Sequence, residues 1–367
     1  MVILSLFDGI SMARQAILNA GLTVDKYFSS EIEEKAINVS KFNFPDIINI
    51  GNVKNIHYQN GKLFDKINNK VYFEGKIDLL IGGSPCTDFS IAGKMRGMKT
   101  LNDNIDVVSL EQYLELKNIG VEFIGQSYLF WEYVRLLKEI NPKYFFLENV
   151  DMKDKWKNLI SENIGFSPIK VNSSLFTCQN RVRLYWTNIK YNESLLPKDS
   201  NITFKNIFQK NSNPKYYYSA KAINWLVNHS KRMSVNKKIK KLKIYNPSDV
   251  INAITASHSK KYSGQRFFAI LDSGYKHIEQ RDEILKYVKV LEVEKSDISL
   301  QILTDYNKVI NDVYSYRYIT PEECELAQGL PIGYTKCIDD TSRYKAIGNG
   351  FTVPVICWFL SFLKREF

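Results

Sequence analysis

Over residues 1–190, short apolar runs alternate with amphipathic stretches, a pattern that few architectures accommodate. Residues 2–7 read as a buried strand. Residues 11–20 place Met12, Ala13, Ala16, Ile17 and Ala20 on one helical face, with Gly21 to end it. A strand over 25–30 and a helix over 31–42 follow. Residues 78–81 form a strand that runs into Gly82-Gly83. A helix over 129–140 stops before Pro142, and a strand over 143–147 ends at Glu148. Strands alternating with helices bury both faces of a mostly parallel sheet, so the chain is predicted to be α/β.

From about residue 191 the character changes. Asn, Lys and Ser become frequent, Pro197, Pro214 and Pro247 interrupt, and periodicity weakens. The organisation read from this is a first domain over 1–189, a smaller irregular one over 190–315, and a segment over 316–367 that returns to the first. The net charge of +11 is concentrated in that middle part: between Asn211 and Gln265 stand eleven Lys/Arg and one acid, Asp249. Tyr216, Tyr217, Tyr218, Trp225 and Tyr245 are interleaved. Phosphate-backbone binding is the direct physical reading, with Lys237, Lys238, Lys240, Lys241, Lys260 and Lys261 as contacts, since each lysine near a phosphate releases counterions. A solvated face that keeps the protein soluble is the plainer alternative.

Five cysteines, none in a CxxC pair, suggest neither a zinc site nor a disulfide framework and fit a reducing cytoplasm. No apolar run is long enough to span a bilayer and no signal peptide is read, so no membrane partner is expected.

Five strand ends carry chemistry. Phe7-Asp8-Gly9-Ile10 follows the first strand, Glu31 the second, and Gly51-Asn52-Val53 a third. A glycine turn followed by an acid after the next strand suits a nucleoside ligand. The absence of GxGxxG disfavours a pyrophosphate cofactor. Cys86 follows Gly82-Gly83-Ser84-Pro85, an exposed place for a thiolate nucleophile, although a small buried residue is the commoner fate of a free cysteine. Glu148-Asn149-Val150 ends another strand. Residues 179–186 then read as one strand, with Arg181 and Arg183 on the same face.

Taken together these motifs resemble the DNA (cytosine-5) methyltransferases. Phe7-Asp8-Gly9 resembles the family's cofactor motif, with Ser11 in place of a second glycine. Pro85-Cys86 with Phe89-Ser90 resembles the catalytic motif, Glu148-Asn149-Val150 the ENV, and Gln179-x-Arg181-x-Arg183 the QxRxR. Residues 318–323 with Gln328-Gly329-Leu330-Pro331 resemble the motif that supports the recognition domain. Gly348-Asn349-Gly350 with Val353-Pro354 resembles the last motif. Leu129-Phe130-Trp131-Glu132 looks closest to the branch of the animal de novo enzymes, while the composition suits a bacterial or phage protein.

The resemblance implies a Rossmann-like methyltransferase fold carrying a target-recognition domain, with double-stranded DNA as substrate and S-adenosyl-L-methionine as methyl donor, without a metal. It implies covalent addition of Cys86 to a flipped cytosine, Glu148 on N3 and the exocyclic amine, Arg183 on O2, and Arg181 as a brace. Phe7, Asp8, Gly9, Ile10, Glu31, Ile32, Asn52, Val53, Ser84, Pro85, Leu129, Asn349, Gly350 and Phe351 are the expected cofactor pocket. Lys94 and Arg96, after Cys86, join the expected DNA contacts. A monomer is expected, with a cognate restriction endonuclease as a possible partner. A tRNA methyltransferase on the same scaffold and a non-catalytic DNA-binding paralogue are the rival readings.

Overall fold

A computed structural model describes residues 1–85, 98–209, 213–216, 243–245, 248–259, 268–272 and 315–364. The chain opens with β1 (Val2–Leu6), α1 (Met12–Asn19), β2 (Lys26–Ser30), α2 (Glu34–Asn43) and β3 (Ile48–Asn49). A small antiparallel sheet follows, made of β4 (Ile56–Gln59), β5 (Lys62–Asp65) and β6 (Lys70–Glu74). It is not among the predicted elements. Its signal is the Asn60-Gly61 turn, where both residues take positive φ (51° and 76°), the chemistry of a tight hairpin.

The central elements are β7 (Leu79–Gly82), α3 (Leu110–Asn118), α4 (Phe130–Ile140), β8 (Tyr144–Val150), α5 (Asp154–Ile164), β9 (Ile169–Asn172), β10 (Gln179–Asn180) and β11 (Val182–Thr187). Beyond them lie β12 (Lys243–Tyr245), β13 (Ile251–Asn252), β14 (Phe268–Asp272), β15 (Ser315–Arg317), α6 (Pro321–Ala327), α7 (Asp340–Asn349) and α8 (Val353–Ser361).

One seven-stranded sheet, in the order β3-β2-β1-β7-β8-β11-β9, organises the molecule. Every neighbouring pair from β3 to β8 is parallel, and β11 runs antiparallel to both β8 and β9. Side chains alternate across a strand, and the sheet divides its residues between two cores accordingly. Ile3, Leu79, Ile81, Phe146 and Tyr185 face one core, with α1 and α8. Leu4, Leu80, Phe145, Leu147 and Trp186 face the other, with α4 and α5. Both faces are therefore covered, as the apolar runs require.

Two predictions are corrected. The strand carrying Glu148 continues to Val150, so Glu148 lies inside β8. Pairing with β11 extends it, with Tyr185 opposite Glu148 and Arg183 opposite Val150. The single strand predicted over 179–186 is broken at Arg181. β10 pairs with β13, while β11 enters the central sheet. One extended segment cannot serve both sheets without a break.

Lys94, Arg96, Lys237, Lys238, Lys240, Lys241, Lys260 and Lys261 lie outside the described residues, as does Cys86. Among the described residues no helix is long and apolar enough to cross a membrane, and no group of three or more His, Cys, Asp or Glu is placed to hold a metal ion.

Candidate active site

The strand order reverses between β1 and β7, and their carboxyl ends open a crevice of the kind in which α/β sheets bind ligands. The turn after β1 is unusual in its backbone. Phe7, Gly9 and Ser11 all take positive φ, near 55–58°. Glycine tolerates this, but a side chain at such a position costs about 1–2 kcal/mol. At Ser11 two hydroxyl contacts offset the cost: Oγ donates to Asp8 Oδ2 at 2.5 Å and lies 2.8 Å from Ser40 Oγ. Nothing lies within 4 Å of where a Cβ at Gly9 would stand, so this turn presents open backbone.

The pocket residues predicted from sequence separate into two groups. Phe7 is half-buried, and Gly9 donates its N–H to Glu31 Oε2 at 2.8 Å. Glu31 Oε1 accepts from the N–H groups of Ile32 and Glu33, so this carboxylate ties the ends of β1 and β2 together. Asn52 is half-buried, and its Oδ1 caps a short turn by accepting from Lys54 N at 3.1 Å. A carbonyl oxygen has a second lone pair, so it can accept again.

Asp8 is different. Its carboxylate is buried and turned inward, accepting from Ser5, Ser11 and Tyr27 hydroxyls. Burial pushes its pKa up despite these donors. Its carboxylate organises the turn and does not face the crevice. Ile10 and Val53 are likewise core residues, and the Ile32 side chain is exposed. The C-terminal part closes the same turn: Tyr334 Oη donates to Ile10 O at 2.8 Å.

The loop after β7 passes against β8. A Cβ at Gly83 would lie 2.8 Å from Phe351 Cε1 and 3.3 Å from Glu148 Oε2, so any side chain here would have to displace the Phe351 ring. Ser84 is buried, and Asn149 Nδ2 donates to its Oγ at 3.0 Å and its carbonyl at 3.3 Å. Asn149 Oδ1 in turn accepts from Val150 N at 2.8 Å. Asn149 is thus the clamp on the residues leading to Cys86. Sequence reasoning gave it no role, although its place beside Glu148 in the motif was the available signal. Pro85, half-buried, is the last described residue before Cys86.

Glu148 and Arg183 meet because of register. Tyr185 stands opposite Glu148, and Arg183, two residues before it, shares that face. Arg183 Nε lies 3.0 Å from Glu148 Oε1, with the two side chains 15% and 12% exposed. Burial raises the Glu148 pKa, and the positive charges of Arg183 and Arg181 offset this only in part. Arg181 is buried and braces the floor, donating to Ile254 O (2.7 Å), Gly350 O (2.9 Å) and Gly348 O (3.3 Å). Gln179 beside it accepts from Ile254 N and donates to Ala327 O. These bonds hold the last motif against the sheet. They place Gly350 over Met12, bury Phe351 beside Gly83, and leave the Asn349 side chain exposed. Leu129, half-buried, precedes α4 and packs with Phe7 against the second core.

Two other cysteines, Cys178 and Cys324, are buried. Burial pushes the Cys178 thiol up to about 12 and the Cys324 thiol well above its usual range.

The sequence model of the C-5 cytosine-specific DNA methylase family matches residues 1–109 and 121–361. The type II methyltransferase M.HpaII of Haemophilus parainfluenzae is 26% identical, over 96% of this chain and 86% of that one. The type II methyltransferase M1.ScrFI of Lactococcus lactis subsp. cremoris is also 26% identical, over 96% and 75%. Among solved structures, the Entamoeba histolytica methyltransferase EhMeth shares the fold with a TM-score of 0.64 at 16% identity, covering 100% of this chain and 98% of that one. With a family match along nearly its whole length, the chain belongs to the C-5 cytosine-specific DNA methylases and is a DNA (cytosine-5) methyltransferase.

Proposed function

We propose that the enzyme methylates carbon 5 of a flipped cytosine in double-stranded DNA, with S-adenosyl-L-methionine as donor and Cys86 as nucleophile. The observation that carries this reading is the Glu148–Arg183 pair beside the clamped Gly83-Ser84 backbone, one residue from Pro85-Cys86.

The donor fits the crevice at the ends of β1, β2 and β3. One open glycine turn, with no phosphate cradle, suits a nucleoside without phosphates. Phe7 and Leu129 supply apolar contact, Glu31 accepts from ribose hydroxyls, Asn52 accepts from the adenine amine, and Phe351 closes the base side. When bound, S-adenosyl-L-methionine supplies an electrophilic methyl group.

Cytosine C5 is a weak nucleophile and needs activation. The Cys86 thiolate adds to C6, forming the S–C6 bond and moving the C5=C6 electron pair onto C5. Glu148, whose carboxyl holds its proton to higher pH than an ordinary carboxylate, donates to N3 as charge develops there. Arg183 holds O2, and Arg181 braces the site. Once C5 carries the methyl group, N3 returns its proton to Glu148, water takes the C5 proton, and the C–H electron pair re-forms the C5=C6 bond and expels Cys86 as thiolate. Extruding the base costs a few kcal/mol, which the basic segment at 211–265 offsets through phosphate contacts as part of the recognition domain. The type II names of both relatives support a bacterial or phage enzyme working in the cytoplasm beside a cognate endonuclease.

The test is a denaturation-resistant adduct with duplex DNA containing 5-fluorocytosine, in which the missing C5 proton blocks release of Cys86. Wild type should form it, and Cys86→Ser should form none and transfer no methyl while still binding DNA. Methyl transfer by Cys86→Ser at the wild-type rate, or preferential labelling of tRNA, would overturn the proposal.

A further inference from the structure

The family match is interrupted over residues 110–120, which is the position of α3. This helix lies within a unit that includes residues 98–124. Val107 N donates to Met98 O, Leu101 N to Glu122 O and Ile124 N to Lys99 O, so the unit is laced to itself. Its inner side docks on α4 through one carboxylate. Glu132, fully buried, accepts at Oε1 from Tyr113 Oη and from Lys117 Nζ, each at 2.6 Å.

The other oxygen of Glu132 leads to the crevice. Arg135 Nε donates to Oε2 at 2.7 Å, and the same guanidinium donates to Val53 O (3.1 Å) and Ile56 O (2.7 Å). Lys117 Nζ also reaches Lys54 O at 3.4 Å, and Lys54 lies over the Tyr128 ring, 5.3 Å from its centroid. The turn at 52–55 is therefore held from behind, through its carbonyls, by a network that ends on α3.

We propose that α3 positions the adenine-side turn of the cofactor pocket, with Lys117 and Tyr113 as positioning residues acting through Glu132 and Arg135. The inference rests on the reading that Asn52 meets the adenine. A buried carboxylate shared by three donors fixes its partners in one geometry, because any one that leaves uncovers charge in a low-dielectric site. Removing Lys117 and Tyr113 contacts frees Glu132 to pull Arg135 off the Val53 carbonyl, and the turn loosens where it would grip the base. Cofactor affinity in this enzyme is then set in part by an element adjoining the segment that carries Cys86.

The experiment compares wild type, Lys117→Met, Lys117→Met/Tyr113→Phe and Lys117→Arg. Two quantities are read: the affinity for S-adenosyl-L-homocysteine by calorimetry, and the split of KM for each substrate from kcat. Lys117 is part-exposed and the double variant keeps the Glu132–Arg135 pair, so both should fold. The expected result is a cofactor Kd and KM raised about tenfold in the double variant, with kcat and KM for DNA within twofold and recovery in Lys117→Arg. Equal affinity in wild type and double variant overturns the inference. So does a fall of kcat and of the melting temperature with both KM values unchanged, which marks a merely structural role. No S-adenosyl-L-homocysteine binding by wild type itself removes the cofactor reading on which the inference stands, and is distinguished by appearing before any substitution.

Discussion

Asn149→Ala tests whether the clamp, and not Glu148 alone, makes the site. Asn149 is 1% exposed and makes three hydrogen bonds: to Ser84 Oγ, to Ser84 O, and from Val150 N. Truncation leaves the buried Ser84 groups and the Val150 N–H short of partners. A net hydrogen bond is worth about 1 kcal/mol and an unpaired buried group costs about 1–3 kcal/mol, so the sum is about 2–4 kcal/mol. By linear extrapolation that is a fall in urea midpoint on the order of 1 M. The kinetic effect should be larger in proportion, because Ser84 leads directly to Pro85-Cys86. A displacement of about 1 Å at a nucleophile can cost about 100-fold in kcat. Cofactor KM should barely move, since the turns after β1 and β2 are untouched. Asn149→Asp separates geometry from volume: it keeps an acceptor for Val150 N but turns a carboxylate oxygen toward the Ser84 carbonyl, and should be as damaging as Ala at neutral pH. Equilibrium unfolding and steady-state methyl transfer measure both arms. An Asn149→Ala enzyme within about 0.5 kcal/mol of wild type, with undiminished kcat, would refute the reasoning.

Ser11→Ala keeps the left-handed backbone but loses the bonds to Asp8 and Ser40. Ser11→Gly loses the same bonds and relieves the strain, so it should be the more stable variant by about 1 kcal/mol, and the opposite order would sink the account of this turn. Thiol labelling of the native enzyme at pH 8 should modify Cys86 and the exposed Cys337 and spare Cys178, whose pKa of about 12 leaves about one molecule in ten thousand ionised. Rapid native labelling of Cys178 would contradict its burial. For Glu148 the sign follows from linkage: its folded pKa lies above the unfolded value, so its contribution is present in acid and is lost as pH rises from about 4.3 through the folded value. The stability of Glu148→Gln relative to wild type should therefore rise between pH 4 and pH 7. A flat or falling difference would show that the arginines outweigh burial.

Much of the site was legible because its chemistry sits at strand ends. Apolar runs located β1, β2, β7 and β8, and the residues just beyond the first three and in the last residues of β8 had to reach the crevice of a parallel sheet. Where reading stopped at residue type, it went astray. Asp8 looks like a ligand in sequence, yet three hydroxyls supplied by β1, β2 and the turn before α1 draw its carboxylate inward. Arg181 and Arg183 look like a pair, yet the chain breaks between two sheets there. One arginine goes to three carbonyls of distant segments, the other to Glu148.

The order of motifs and their hydrophobic periods determined the family and the parallel core, because both depend on local spacing that the sequence displays. Tertiary structure decided which polar groups face each other. Glu148 meets Arg183 through the register of β8 and β11, Asn149 meets Ser84 across β7 and β8, and Glu132 gathers Tyr113, Lys117 and Arg135 from two helices. Such encounters depend on strand order and helix docking, set by burial over the whole sheet, and no window of sequence contains both partners together with the geometry that joins them.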